Sequence, residues 1–173
     1  MTCLECHYKL TSKHHYNRCF TVVMGSTVKQ DLSDLSKFRP MMTFGLCGCT
    51  VIFLLEIKKN TQKYIKAVLA HYSDAKEIMR VYENHYHTNS DFLIIIKLPI
   101  LYVQQSGKWC ETVDNTFENN IKGHNIKIHQ IPYSTYYIQG ELGYRSSLYF
   151  RLNKNQKLEF SDDYGRYKCI NDL

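Results

Sequence analysis

The sequence predicts an α+β fold, a central β-sandwich of mostly antiparallel strands flanked by two or three helices. Short runs rich in β-branched and aromatic residues, closed by Gly, Asn or Asp, recur along most of the chain. Apolar residues at helical spacing occur in few places. Strands and helices do not alternate as βαβ units, which points away from a doubly wound parallel sheet. The 173 residues read as one domain, 1–173, long enough to bury roughly 70% of the surface of the unfolded chain. Residues 1–17 read as a partly ordered N-terminal segment.

The elements follow in order. Residues 18–24, RCFTVVM, have strand composition, and residues 30–40 offer one short helical turn with Leu32 and Leu35 on one side and Pro40 at its end. Residues 50–57, TVIFLLEI, are apolar almost throughout, the pattern of a strand buried on both faces. Residues 64–71 alternate, with Ile65, Ala67, Leu69 and His71 sharing a face. Asp74 followed by Glu77 has capping-box spacing, and Ile78, Val81, Tyr82 and His85 recur at helical intervals, so a helix is predicted over 75–87. Residues 92–97 form another buried strand that Pro99 should bend or end. A second helix is expected from Thr112, with Val113, Phe117 and Ile121 on one face. Strands are expected near 125–131, 135–139, 147–152, 156–160 and 166–170. The tyrosines, Tyr133, Tyr136 and Tyr137 among them, read as amphipathic sheet surface.

Composition narrows the function classes. The net charge is +6 with a pI near 8.9, but the lysines are scattered and no basic block marks a nucleic-acid surface. Seven cysteines at irregular spacing, without a secretory h-region after Met1, point to a reducing, cytoplasmic compartment. The most apolar run is interrupted by Lys97 and Pro99, so no membrane span is expected.

The stretch 43–74 carries the chemistry. Cys49 sits in a glycine-containing turn ahead of a strand, and a hairpin centred near Asn60 would place Cys49 directly opposite His71. Opposed residues of an antiparallel pair have Cβ atoms about 4.5–5.5 Å apart on one face. Such a pair is a nucleophile with its base. A nearby imidazolium would lower the thiol pKa, and Gly48 lets the chain turn sharply before Cys49. Thr43, Asp74 or a local carbonyl could fix the imidazole tautomer. Against this stands the ordinary packing role of cysteine, for Cys47 and Cys49 alike. In that case the protein is a non-catalytic interaction module, with zinc held near Cys3 and Cys6, where His7, His14, His15 and Cys19 also lie. A papain-like arrangement is disfavoured, because Cys49 precedes a β-prone run rather than a helix.

Thr43-Phe44-Gly45-Leu46 resembles the Thr-x-Gly-Leu that precedes the nucleophile of the chemoreceptor glutamine deamidase CheD. Leu46-Cys47-Gly48-Cys49 is similar to the Leu-x-Gly-Cys of cytotoxic necrotizing factor and Burkholderia lethal factor, which are glutamine-deamidating toxins, and Ala70-His71 resembles the CheD histidine segment. The resemblance covers about thirty residues. It implies a β-sandwich fold and a catalytic set of Cys49 as nucleophile, His71 as base and Thr43 or a backbone carbonyl as the group orienting His71. No cofactor and no metal are implied. The implied partner is a protein substrate carrying a target glutamine, such as a host or signalling protein, reached by a chain acting as an effector. Hydrolysis would give glutamate, and a lysine amine in place of water would make the same site a transglutaminase. The separation of Cys49 from His71 is longer than in these families, so the hairpin arms must be extended.

Overall fold

Two sheets face each other in the computed structural model, which describes residues 19–46, 48–105, 108–113, 116–121, 123–134, 146–162 and 166–173. The segment 1–17 with Cys3 and Cys6, Cys47, and the strand expected at 135–139 lie outside the described residues. The smaller sheet has the order β1 (Phe20–Thr21), β3 (Met41–Leu46), β9 (Ser146–Leu152), β10 (Leu158–Ser161), β11 (Tyr167–Cys169). The larger runs β2 (Ser26–Asp31), β5 (Tyr64–Tyr72), β4 (Thr50–Ile57), β6 (Asp91–Gln105), β7 (Lys108–Val113), with β8 (Ile126–Ser134) also paired to β6. Among the described residues β1–β3 and β6–β8 are parallel and the other pairs antiparallel. Among the described residues two α-helices accompany them, α1 (Ala75–His85) and the short α2 (Thr116–Asn120). The expected α+β sandwich is thus the architecture found.

The unbroken apolar run of β4 is explained by its place in the middle of the larger sheet. Val51, Phe53 and Leu55 enter the core between the sheets, where Phe53 stacks on Phe150 of β9 with ring centroids 3.8 Å apart. Ile52 and Leu54 face the other way, beneath Ile78, Val81 and Tyr82 of α1 and Phe117 of α2. Each such side chain contributes about 1.5–3 kcal/mol by leaving water. Helix α1 starts where the capping signal lies, with the Asp74 carboxylate accepting from Lys76 N at 2.8 Å.

Buried polar groups are partnered across elements. The Glu56 carboxylate, at the far end of β4, meets Lys66 Nζ at 2.9 Å, Ser90 Oγ at 2.8 Å and His87 Nε2 at 3.0 Å. Lys97 is wholly buried on the inter-sheet face of β6 and donates to the Ser147 carbonyl of the opposite sheet at 2.7 Å.

Several expectations need correction. Residues 26–31 and 41–46 are strands, so the glycine-containing turn before Cys49 is preceded by β3. Of the strand expected over 18–24, the described residues 19–24 supply only the two-residue β1. The helical turn expected within 30–40 is a 3-10 turn, Leu35–Lys37. Residues 112 and 113 close β7 instead of opening a helix, and α2 begins at Thr116. Strand β6 continues through Pro99 for 15 residues. On that edge β4 pairs up to Lys97 and β7 begins at Ile100, so Pro99 falls between two ladders, where its missing N–H costs no bond.

Candidate functional site

The site residues are brought together by two features of the chain, a bulge in β3 and a bulge in the β4–β5 hairpin. In β3, Thr43 pairs with Leu148, but Leu46 pairs with Ser146, so one residue is extra on β3. Gly45 takes up the offset at φ 73°, a conformation that costs glycine little. Met41, Thr43 and Leu46 are consequently all buried, while Phe44 turns outward. In the hairpin, Ile57 pairs with Tyr64 but Glu56 with Lys66. From there the ladder runs evenly until Val51 stands opposite His71 and Thr50 opposite Tyr72.

Cys49 is therefore not directly opposite His71, as the hairpin count predicts; it lies one diagonal step away, just before β4. The offset is two residues, one from the loop and one from the bulge. An even offset preserves the face, because side chains alternate with period two. Cys49 accordingly shares the inter-sheet cluster with Val51, Ala67 and Leu69, the face on which His71 also lies.

Thr43 and His71 meet across the sandwich. Thr43 Oγ1 is 2.9 Å from His71 Nδ1, and both side chains are buried. His71 Nε2 is buried and has no hydrogen-bond partner, so no hydrogen bond joins it to Cys49. Burial pushes the His71 pKa below its ordinary value, and the neighbouring Val22 backbone acts the other way without reversing the shift. A pKa lowered in this way favours the neutral imidazole, the form able to take a proton.

Cys49 is 8% exposed and its sulfur lies 3.5 Å from Met24 Sδ, in the turn between β1 and β2. That turn is tied to the histidine through its backbone, with Gly25 N donating to His71 O at 2.7 Å. Gly48, at φ 106°, makes the bend into Cys49 in a conformation that other residues rarely adopt.

Tyr133, expected on the sheet surface, is buried beneath this bend. Its hydroxyl donates to the Cys49 carbonyl at 2.6 Å and accepts from Gly48 N at 3.0 Å. One oxygen thereby fixes both sides of the turn that carries the thiol. Lys97 Nζ lies 6.0 Å from the centre of the Tyr133 ring. Lys97 is also opposite Val51 on the neighbouring strand. Neither residue carries a local motif. The available signals were a lysine inside an apolar strand and a tyrosine next to a proline at the end of one.

Asp74 caps α1 and does not serve the histidine. A surface depression lined by Tyr64, Asp91, His124, Asn125 and Asn171 lies at the opposite end of β4 and includes none of Thr43, Cys49, His71, Lys97 and Tyr133. No helix among the described residues is long and apolar enough to cross a membrane.

No family model matches the chain, and no curated protein matches it. Among solved structures it is similar to the C-terminal domain of CNFy from Yersinia pseudotuberculosis, with 13% identity and a TM-score of 0.34. The match covers 82% of this chain and 55% of that one, so this chain spans about half the length of the structure it matches. A likeness at that level carries no argument about chemistry, and the site stands on its own geometry.

Proposed function

We propose that the protein is a cysteine-dependent protein glutamine deamidase, with Cys49 as nucleophile, His71 as base and Thr43 as the residue that orients the base. The observation that carries the reading is the Thr43–His71 hydrogen bond, formed across the sandwich on the face and at the end where Cys49 lies. The role requires the ring proton on Nδ1, donated to Thr43 Oγ1, which leaves the unpartnered Nε2 to accept the thiol proton.

The steps balance without a cofactor. The Cys49 sulfur attacks the carboxamide carbon of a glutamine as His71 takes the thiol proton. The C–N bond breaks, ammonia leaves with that proton, and a thioester remains. Water, deprotonated by His71, then attacks the thioester and releases glutamate and the thiol. A lysine amine in place of water would give an isopeptide crosslink at the same site. The thiol mechanism suits a reducing compartment, and the protein substrate fits an effector that alters a signalling partner by adding a carboxylate.

The test is to incubate wild type and Cys49→Ala with cell lysates and search by mass spectrometry for glutamines converted to glutamate or crosslinked to lysine. Conversion by wild type alone is expected; none beyond the Cys49→Ala control across several lysates overturns the reading. Iodoacetamide near neutral pH should label Cys49 ahead of Cys19, whose pKa is pushed up to about 11 by burial against the opposing charge of Arg39. His71→Ala should slow the Cys49 reaction. Slow labelling of all thiols at one rate would make Cys49 a core residue of a non-catalytic interaction module.

A further inference from the structure

We propose that the mouth of the Cys49 site is an apolar subsite that takes the uncharged, apolar residues flanking the target glutamine of a protein substrate, an inference that rests on the deamidase reading. Val23, Met24 and Phe44 are 58%, 61% and 39% exposed, and Tyr167 is the other large hydrophobic exposed among the described residues. Val23 and Met24 stand in the turn that meets the cysteine, and Phe44 on the strand whose Thr43 meets His71. The Met24 thioether touches the Cys49 sulfur. Phe44 directly follows Thr43 and is turned outward by the bulge. Strand β1 runs parallel to β3, with Thr21 beside Met42, and Val22 N donates to Met42 O at 2.8 Å. Continued two residues past the Thr21–Met42 pair, the same register would carry Val23 alongside Phe44.

The charge pattern selects the occupant. The chain carries 22 basic and 16 acidic residues, yet none falls between Cys19 and Val28 or between Met41 and Leu55, the two stretches of sequence that hold Val23, Met24, Phe44 and Cys49. A charged side chain beside the glutamine would lose hydration there and find no counter-charge in either segment. An apolar one would exchange water for the Val23, Met24 and Phe44 surface. Because Met24 covers the sulfur, a carboxamide reaches Cys49 only by displacing the thioether. An unbranched methionine side chain can swing aside and repack against the incoming chain.

The probes are two pentapeptides in which 6-diazo-5-oxonorleucine, an electrophilic glutamine mimic, replaces the central glutamine. One is flanked by Leu and Val and the other by Lys and Glu, and mass spectrometry follows the rate of Cys49 labelling. The apolar probe should label wild type about tenfold faster, the scale of burying one apolar side chain. The Met24→Ser/Phe44→Ser variant should lose that preference while iodoacetamide labels its Cys49 at least as fast as in wild type, since the cover is gone. Equal rates of the two probes in wild type, or a preference that survives in the variant, overturn the subsite. Slower iodoacetamide labelling of the variant with a lowered melting temperature would make the rim structural and overturn it too. Concentration-dependent dimerisation of wild type in sedimentation, lost in the variant, would assign the rim to a second copy of the chain instead. If neither probe labels Cys49 at all, the deamidase reading itself fails, an outcome distinct from equal labelling by both.

Discussion

Thr43 Oγ1 and His71 Nδ1 lie 2.9 Å apart across the gap between the two sheets. Thr43 belongs to the smaller sheet and His71 to the larger, so the orientation of the imidazole depends on how the sheets dock and not on either alone. Replacing Thr43 by Val keeps the shape and removes the hydroxyl. The Nδ1 atom then loses its partner while Nε2 already has none, and a buried polar group left unsatisfied costs about 1–3 kcal/mol. Thr43→Val should lower stability by that amount in denaturant titrations and slow Cys49 alkylation, with Thr43→Ser restoring most of both. An unchanged alkylation rate in a stably folded Thr43→Val would remove Thr43 from the site.

Tyr133→Phe tests the clamp on the thiol turn. The ring stays packed while the Cys49 carbonyl and Gly48 N–H lose one shared oxygen. The expected loss is about 1–3 kcal/mol of stability, and glutamine conversion should fall roughly tenfold or more, as expected when a reacting group is misplaced. A positional role predicts that the loss appears in kcat with KM held. A loss confined to KM would argue against it.

Gly48→Ala isolates backbone strain. A Cβ built there meets nothing within 4 Å, so the penalty comes from φ 106° and not from a clash. A non-glycine residue held in such a conformation costs on the order of 1–3 kcal/mol. The substituted chain should relieve the strain by shifting the turn, so that activity falls more than melting temperature. Wild-type activity would mean that the turn tolerates the side chain.

Acid should destabilise the fold in two stages. His71 has a folded pKa below its unfolded value because of burial, so the unfolded chain binds more protons. Its contribution is complete above the unfolded pKa and is lost as pH falls from there toward the folded one. For Glu56, burial alone would raise the pKa, but the Lys66 and Ser90 hydrogen bonds and the charges of Lys66 and His87 outweigh it and leave the pKa lowered. Its contribution is lost later, as pH falls through its folded pKa below the usual carboxylate range. Melting temperatures measured against pH should show the first stage flattened in His71→Asn and the second in Glu56→Gln. A profile unaltered by either substitution contradicts the assignment.

The sandwich and its central strand were legible because burial on both faces writes itself as an unbroken apolar run, as in residues 50–57. Helix α1 was legible because a cap and a periodic face coincide at Asp74. Strands β2 and β3 were not. Ser26–Asp31 is a half-exposed edge strand with little apolar content, and the bulge at Gly45 breaks the alternation of Met41–Leu46. The Cys49–His71 register missed by an even number because the loop and the bulge each added one residue, which kept the face. Tyr133 and Lys97 reach the site only through tertiary pairing. Their neighbours, Pro99 for Tyr133 and both Val51 and Ile131 for Lys97, are set by strand order that no local pattern encodes.

Strand β6 has a consequence for how the molecule breathes. Its segment Phe92–Lys97 is flanked by β4 on one side and β8 on the other, while β7 takes over beyond Pro99. Amides of Ile94, Ile95 and Ile96, enclosed by both neighbours and by apolar layers on both faces, should exchange with solvent only on global unfolding. Those of β2, at the sheet edge beside His71, should exchange through local fraying. Exchange of the edge before the centre would place the two in separate cooperative units, with the edge beside His71 able to open while the middle of the larger sheet stays closed.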